Sequence, residues 1–292
     1  MAAGRPAPAV VLERGRPATA EELRLRADWI RLQTVRLIDA AGLGHYSSTF
    51  SCAEILAVLY FRALRLSPGE PSWPDRDRFL LGKGHAAVGL WPVLAELGYF
   101  PAGWLDRFGR SGSPINDHPN MRTAPGIDFS SGSLGHNLSV AVGMGLAGRL
   151  QGRDYRTVVL TGDGELQEGQ VWEAAMAASH HRLGNVVAVV DANGFSGGGP
   201  TSQAMNIEPI AARFHAFGWL TMEVDGHDVT ALVDAFDELP APASNTPVCV
   251  VARTRKGRGV AMMERSPQAW HLGLLSPAQR DEAIAEIEGR MR

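Results

Sequence analysis

Cysteine is nearly absent from this chain: 292 residues contain Cys52 and Cys249 and no others. Two thiols so far apart make neither a secreted disulfide framework nor a local metal knuckle, so both are read as reduced core residues. An excess of basic residues is also missing. The 28 Lys and Arg stand against 31 Asp and Glu, a formal charge of -3, with no stripe of the kind that tracks a phosphate backbone. Nucleic acid is therefore not an expected partner. No run of about 18 uninterrupted apolar residues occurs, so no membrane span is expected. The opening MAAGRPAPAVVLERGRPATAEE lacks the apolar core of a signal peptide, and a cytoplasmic location is expected. What is present is 45% hydrophobic residues, enough at this length to bury a sizeable core.

Residues 1–18 are rich in Ala, Pro, Gly and Arg and are expected to form a flexible extension; residues 19–292 are expected to form one domain. Thr19 and Glu22 have the spacing of a capping box, and Leu23, Ala27, Ile30, Thr34, Leu37, Ile38 and Ala41 follow at helical intervals. Ser51 and Glu54 repeat the cap signal before a second, buried helix, with GLGHYSST (42–49) as the loop between. A region rich in Pro, Gly and Ser follows, interrupted by the helical AAVGLWPVLAELG (86–98). From residue 138 apolar strands alternate with amphipathic helices: strands RTVVLT, NVVAVVD, FGWLTMEV and PVCVVART, with helices at LSVAVGMGLAGRL, GQVWEAAMAASHH and VTALVDAFDEL. This alternation predicts an α/β fold with a doubly wound, mostly parallel sheet covered by helices on both faces.

In such sheets ligands collect at the carboxyl ends of strands. Asp163, between Gly162 and Gly164, ends one strand, and Asn193 ends the next, 30 residues on. That interval accommodates one right-handed crossover helix, which brings both oxygen donors to one crevice. Aspartate, asparagine oxygen, a carbonyl and diphosphate oxygens suit Mg²⁺, and the glycines allow an anion to approach the backbone. Taken singly, Asp between glycines and Asn-Gly are turn signals; at two strand ends the ligand reading is favoured.

GDG followed after 28 residues by Asn resembles the thiamine diphosphate motif, and the wider text resembles the transketolase N-terminal domain over about residues 20–275. The resemblance rests on GHYSSTFSCAEIL, DRFLLGKGHA, DHPNMRTAPGIDFSSGSLG, GDGELQEGQVWEAAMAASHH, NIEPIAARFHAFGW, EVDGHD and AWHLG. It implies thiamine diphosphate and Mg²⁺ as cofactors, with the metal held by Asp163, Asn193 and the carbonyl of Phe195. It implies that His45 and His271 serve substrate proton transfer, His118 the donor hydroxyls, and His85 the diphosphate side. Gly132, Ser133 and Leu134 would line the aminopyrimidine, with Gly162, Gly164 and Glu165 and also His271 at the cofactor, while Glu168 would lie at a subunit interface linking active sites. His180, His181 and His215 match no motif, and His227 is read as structural.

Full-length transketolases continue into a pyrimidine-binding domain, so the resemblance implies the first subunit of a split enzyme. It would be active only with a C-terminal partner, as an α2β2 heterotetramer, and transfer a two-carbon ketol unit between sugars. Alternatives are another thiamine diphosphate-dependent acyl or aldehyde transferase, and a noncatalytic assembly subunit. The sequence departs from the family at His136-Asn137, expected to bring polar groups toward the cofactor. It departs also at Gly197, where an aliphatic side chain against the thiazolium is missing, and at Asp117, which replaces a glycine. These departures suggest a specialised sugar substrate.

Overall fold

The structure is a computed structural model that describes residues 17–292; residues 1–16, most of the expected extension, lie outside the described residues. The first helix, α1 (Ala20–Ala41), begins at the predicted capping box, with the Thr19 side chain accepting from the Glu22 amide and the Glu22 carboxylate accepting from the Thr19 amide. It ends at Gly42, whose left-handed backbone (φ 68°) suits glycine. Next come α2 (Tyr46–Ser51) and α3 (Ala53–Val58), the latter widening into a π-helical turn over Leu59–Ala63.

The cap expected at Ser51 and Glu54 does not form, and the expected loop 42–49 already turns helical at Tyr46. Ser51 closes α2, and its hydroxyl contacts Ser48 O and the Asp191 carboxylate (2.6 Å). Glu54 pairs with the buried Arg31. Both polar side chains are taken by buried charges elsewhere, so neither remains for the helix end. The region read as irregular before residue 86 contains a strand, β1 (Arg78–Leu81). Four residues are too few for a periodic signal, and pairing with a neighbour defines the strand.

The remaining elements are α4 (Ala87–Leu97), α5 (His136–Leu150), β2 (Thr157–Gly162), α6 (Gly169–His180), β3 (Val186–Ala192), and the short hairpin β4 (Phe195–Ser196) and β5 (Gly199–Pro200). After them come α7 (Thr201–Ala204), α8 (Ile210–Ala216), β6 (Leu220–Asp225), α9 (Val229–Asp237), β7 (Val248–Arg253), α10 (Ala261–Arg265) and α11 (Pro277–Arg290). The α11 helix carries a second capping box, Ser276 with Gln279, which the sequence reading passed over.

One five-stranded sheet has the order β1-β2-β3-β7-β6, and every pair in it is parallel. Alternate residues of β2 and β3 feed opposite cores. Val158, Leu160, Val187 and Val189 pack with α1, α3 and α4, whereas Val159, Ala188 and Val190 pack with α5, α6 and α8. Apolar strands buried on both faces are the predicted doubly wound arrangement. Cys52 and Cys249 are buried, as expected, and burial raises the Cys52 thiol to about 12.

Beyond β1 the chain turns at Gly82 and sends the Lys83 side chain past Gly162 to the Asp191 carboxylate on β3. Both residues are buried. Burial opposes each charge, but the pairing outweighs it, raising Lys83 and lowering Asp191 from their ordinary ranges. Asp191→Ala would leave the Lys83 ammonium buried without its counter-charge, which costs about 3–5 kcal/mol. Urea denaturation should show that loss, and adding Lys83→Met should recover part of it.

Candidate cofactor and substrate cleft

Asp163 and Asn193 stand at the ends of adjacent parallel strands, with Gly162 in register with Asp191. They face a cleft of about 420 Å³ whose lining includes Lys83, His85, Leu134, Glu165, Lys256 and His271. The Asp163 carboxylate is 2% exposed and accepts from the amides of Gly164 (2.8 Å) and Gly194 (2.5 Å). Burial, then the neighbouring Asp191, pushes its carboxyl up to about 7. Asn193 donates from Nδ2 to Asp191 (3.1 Å) and accepts at Oδ1 from the Phe195 amide (3.1 Å). The first bond fixes which way the amide faces, and Oδ1 keeps a second lone pair.

Glu165 is also buried in the cleft wall, where it accepts from the Gly135 amide (3.0 Å) and the Gly162 amide (3.2 Å). It thereby ties the loop carrying Leu134 to the end of β2. Burial raises its carboxyl to about 7. Close approach demands glycine here: a Cβ at Gly82 would lie 2.7 Å from the Glu165 carboxylate, and one at Gly135, where φ is 85°, would lie 2.6 Å from Glu168 Cβ. Glu168 itself is exposed at the start of α6 and lines the cleft.

Four of the predicted histidines come together. The ring of His45 lies 5.2 Å from His85, 5.1 Å from His271 and 6.2 Å from His118, between centroids. Ser48 Oγ is 3.0 Å from His271 Nδ1. Burial, then Lys256, lowers His271 to about 4; burial, then Lys83, holds His85 well below the ordinary range. His118 is more exposed, and burial lowers it to a smaller degree. His180, His181 and His215 are on the surface. His227 bridges Glu54 (3.2 Å) and the Arg255 amide (2.8 Å), which fits its structural reading.

Gly132 packs between Gly84 and His118, and Ser133 is exposed beside it; of the three predicted residues here only Leu134 lines the cleft. The expectation for His136 and Asn137 is corrected: neither lines the cleft. His136 is exposed and turned back on Leu134 O (3.2 Å), while Asn137 is buried within the first turn of α5 and accepts from Ser131 (3.3 Å). Their place in a helix start, with successive side chains pointing in different directions, separates them from the pocket.

Lys83 and Lys256 were missed. Lys256 is 3% exposed and lines the cleft, where burial, then Lys83, lowers its ammonium to about 8. The signal for Lys83 was present in GKGHA, two residues from His85. A lysine in RTRKGRG gives no such signal until the fold closes.

The family described as "Transketolase, thiamine diphosphate binding domain" matches residues 23–280. The chain belongs to the transketolase family. This transketolase chain is 36% identical over 271 residues to an apulose-4-phosphate transketolase subunit of Phocaeicola vulgatus, covering 93% of this chain and 95% of that protein. It is 38% identical over 267 residues to a 6-deoxy-6-sulfo-D-fructose transketolase subunit of a Clostridium species, covering 91% and 96%. Against the transketolase structure from Campylobacter jejuni the TM-score is 0.85 at 29% identity, over 91% of this chain and 42% of that one. The chain thus spans nearly the full length of these subunits and under half of the single-chain enzyme.

Its cofactor is thiamine diphosphate with a divalent metal ion, and the residues present fit that pair. Asp163 is a buried carboxylate raised by a second carboxylate, a charge that a cation relieves. Burial disfavours the Lys256 and His271 cations, Lys83 opposes the first and Lys256 the second, a condition that a polyanion relieves. At Gly164 a Cβ would come within 2.9 Å of Ser196 and 3.7 Å of the Phe195 carbonyl, filling the space in front of that carbonyl.

The lowered His271 has a consequence for stability. Between about 6.5 and the folded value of about 4, the unfolded chain takes up a proton that the folded chain refuses. The contribution of His271 to the stability of the ligand-free chain therefore falls as the pH falls through this window, while the raised Asp163 and Glu165 contribute in the opposite sense. His271→Gln should flatten that part of the pH dependence in urea titrations.

Proposed function

We propose that the chain is the thiamine diphosphate-binding subunit of a two-component, cytoplasmic transketolase that moves a two-carbon ketol unit from a ketose to an aldehyde. The observation that carries this reading is the meeting of Asp163 and Asn193, at neighbouring strand ends, with His85, His271 and two buried lysines in one cleft, His45 and His118 packing against those histidines. Asp163, Asn193 and the Phe195 carbonyl would hold Mg²⁺; Lys256 and His85 would meet the diphosphate side. When bound, the cofactor supplies a thiazolium carbon that takes up and hands on the two-carbon unit. Leu134 packs against the aminopyrimidine. His45 and His271, whose rings lie 5.1 Å apart, would accept a substrate hydroxyl's proton and return it, and His118 would orient the donor hydroxyls.

Glu168, exposed beside the cleft, suits a contact with a second chain. The partner would be a C-terminal transketolase subunit with a pyrimidine-binding domain, in an α2β2 assembly with residues 19–292 acting as one domain. Support for a separate partner comes from relatives named as subunits and matched over nearly their whole length. Asp163→Ala removes the charged metal donor and should weaken thiamine diphosphate binding to the assembled complex at least tenfold, about 1.4 kcal/mol. Unchanged affinity in calorimetric titration with Mg²⁺ present would overturn the assignment.

We also propose a specialised sugar as substrate. The names of the two relatives, one acting on apulose 4-phosphate and one on a sulfonated fructose, favour this, and so does Gly197. A Cβ there would make only ordinary contact, 3.6 Å from His271 Nε2, so a larger side chain has room. Gly197→Ile should shift preference toward ordinary pentose phosphates by about tenfold or less, since a contact of this size contributes roughly 1–3 kcal/mol. Competition between donors in the assembled complex measures the shift.

A further inference from the structure

The Asp117 carboxylate sits between two histidines of the cleft. Its Oδ1 is 3.3 Å from His45 Nδ1 and its Oδ2 is 3.5 Å from His118 Nδ1. The two contacts differ in kind. The His118 side chain is 41% exposed, so water can serve its nitrogen, whereas the His45 side chain is 9% exposed. His45 Nδ1 and Asp117 Oδ1 are both buried, and neither makes a hydrogen bond to any other group. A buried donor and a buried acceptor left unmade are each destabilising, and a small turn of the ring joins these two.

We propose that Asp117 is a positioning residue for His45: it accepts a hydrogen bond from the Nδ1–H of the imidazole and so leaves Nε2, on the other edge of the ring, as the proton acceptor. A neutral imidazole carries its proton on either nitrogen, and the tautomer is set by the bond that one nitrogen makes. The other groups facing His45 are the rings of His85, His271 and His118, which offer no carboxylate. The His45 backbone is held separately, its carbonyl accepting from Thr49 Oγ1 (2.8 Å) at the start of α2. Ring orientation is therefore the one freedom left, and Asp117 removes it. The hydroxyl from which Nε2 takes its proton belongs to the substrate class proposed above, so the catalytic part of this inference rests on that reading.

The test uses the full chain labelled with ¹⁵N-histidine, in which two-bond proton–nitrogen couplings report the tautomer and His45→Gln identifies the His45 signal. In wild type His45 should carry its proton on Nδ1. Asp117→Asn, whose amide oxygen can still accept, should keep that tautomer, and Asp117→Gly should yield a mixture. In the complex with its partner, Asp117→Gly should lower kcat about tenfold with KM little changed, and Asp117→Asn should recover part of the loss. An Nε2-protonated His45 in wild type would overturn the proposal without need of any variant, as would a tautomer indifferent to Asp117→Gly in a folded chain. Loss of ketol transfer in the wild-type complex would count against the proposed function alone, because the tautomer is read without it.

Discussion

A lysine and an aspartate sealed together at the carboxyl end of the sheet hold the cleft in shape. Asp191 receives the Lys83 ammonium from the turn after β1, the Ser51 hydroxyl from α2, the Thr254 hydroxyl from beyond β7, and the Asn193 amide from its own strand. One carboxylate thus joins four separate pieces of chain. The arrangement is costly to form, because both ions leave water, and costlier to break, because either partner alone would be stranded. Its return to function is indirect. By holding Nδ2 of Asn193, Asp191 turns the amide oxygen to the other side, and by holding Thr254 it anchors the segment that delivers Lys256.

Charges of both signs are present in the cleft beyond what they can do for each other. Asp163 and Glu165 are pushed up while Lys256 and His271 are pushed down, and burial leads in every case. A site meant to be closed would pair such groups directly, as Lys83 and Asp191 are paired. Here carboxylate and ammonium stay unpaired, as the proposed binding of a cation and the phosphates attached to it requires.

The strand ends were legible because their signal is local. An apolar run followed by GDG, and a second followed by Asn-Gly, declare both the strand and the residue at its tip. The alternation of strands and helices then supplies the crossover that sets them side by side. Ser51 was misread for the converse reason: its partner, Asp191, is 140 residues away, and nothing nearby hints that a cap residue will be taken by a buried carboxylate. Strand β1 escaped because four residues show no period, and Lys256 because its sequence surroundings are merely basic and glycine-rich. For His136 the motif fixed the position along the chain but not the direction of the side chain, which the first turn of α5 decides.

The groups of the cleft and of the histidine cluster beside it come from residues 45–48, 83–85, 117–118, 163–168, 193–198, 256 and 271, a large part of the described chain. No shorter piece carries them. A fragment ending before Thr254 would retain Asp163 and Asn193 yet lose Lys256, His271 and one of the holds on Asp191. Contacts this far apart in sequence form late and together, so acquiring the cleft and completing the fold are a single event, and a nascent chain has no ligand-competent state to offer until the residues through His271 are in place.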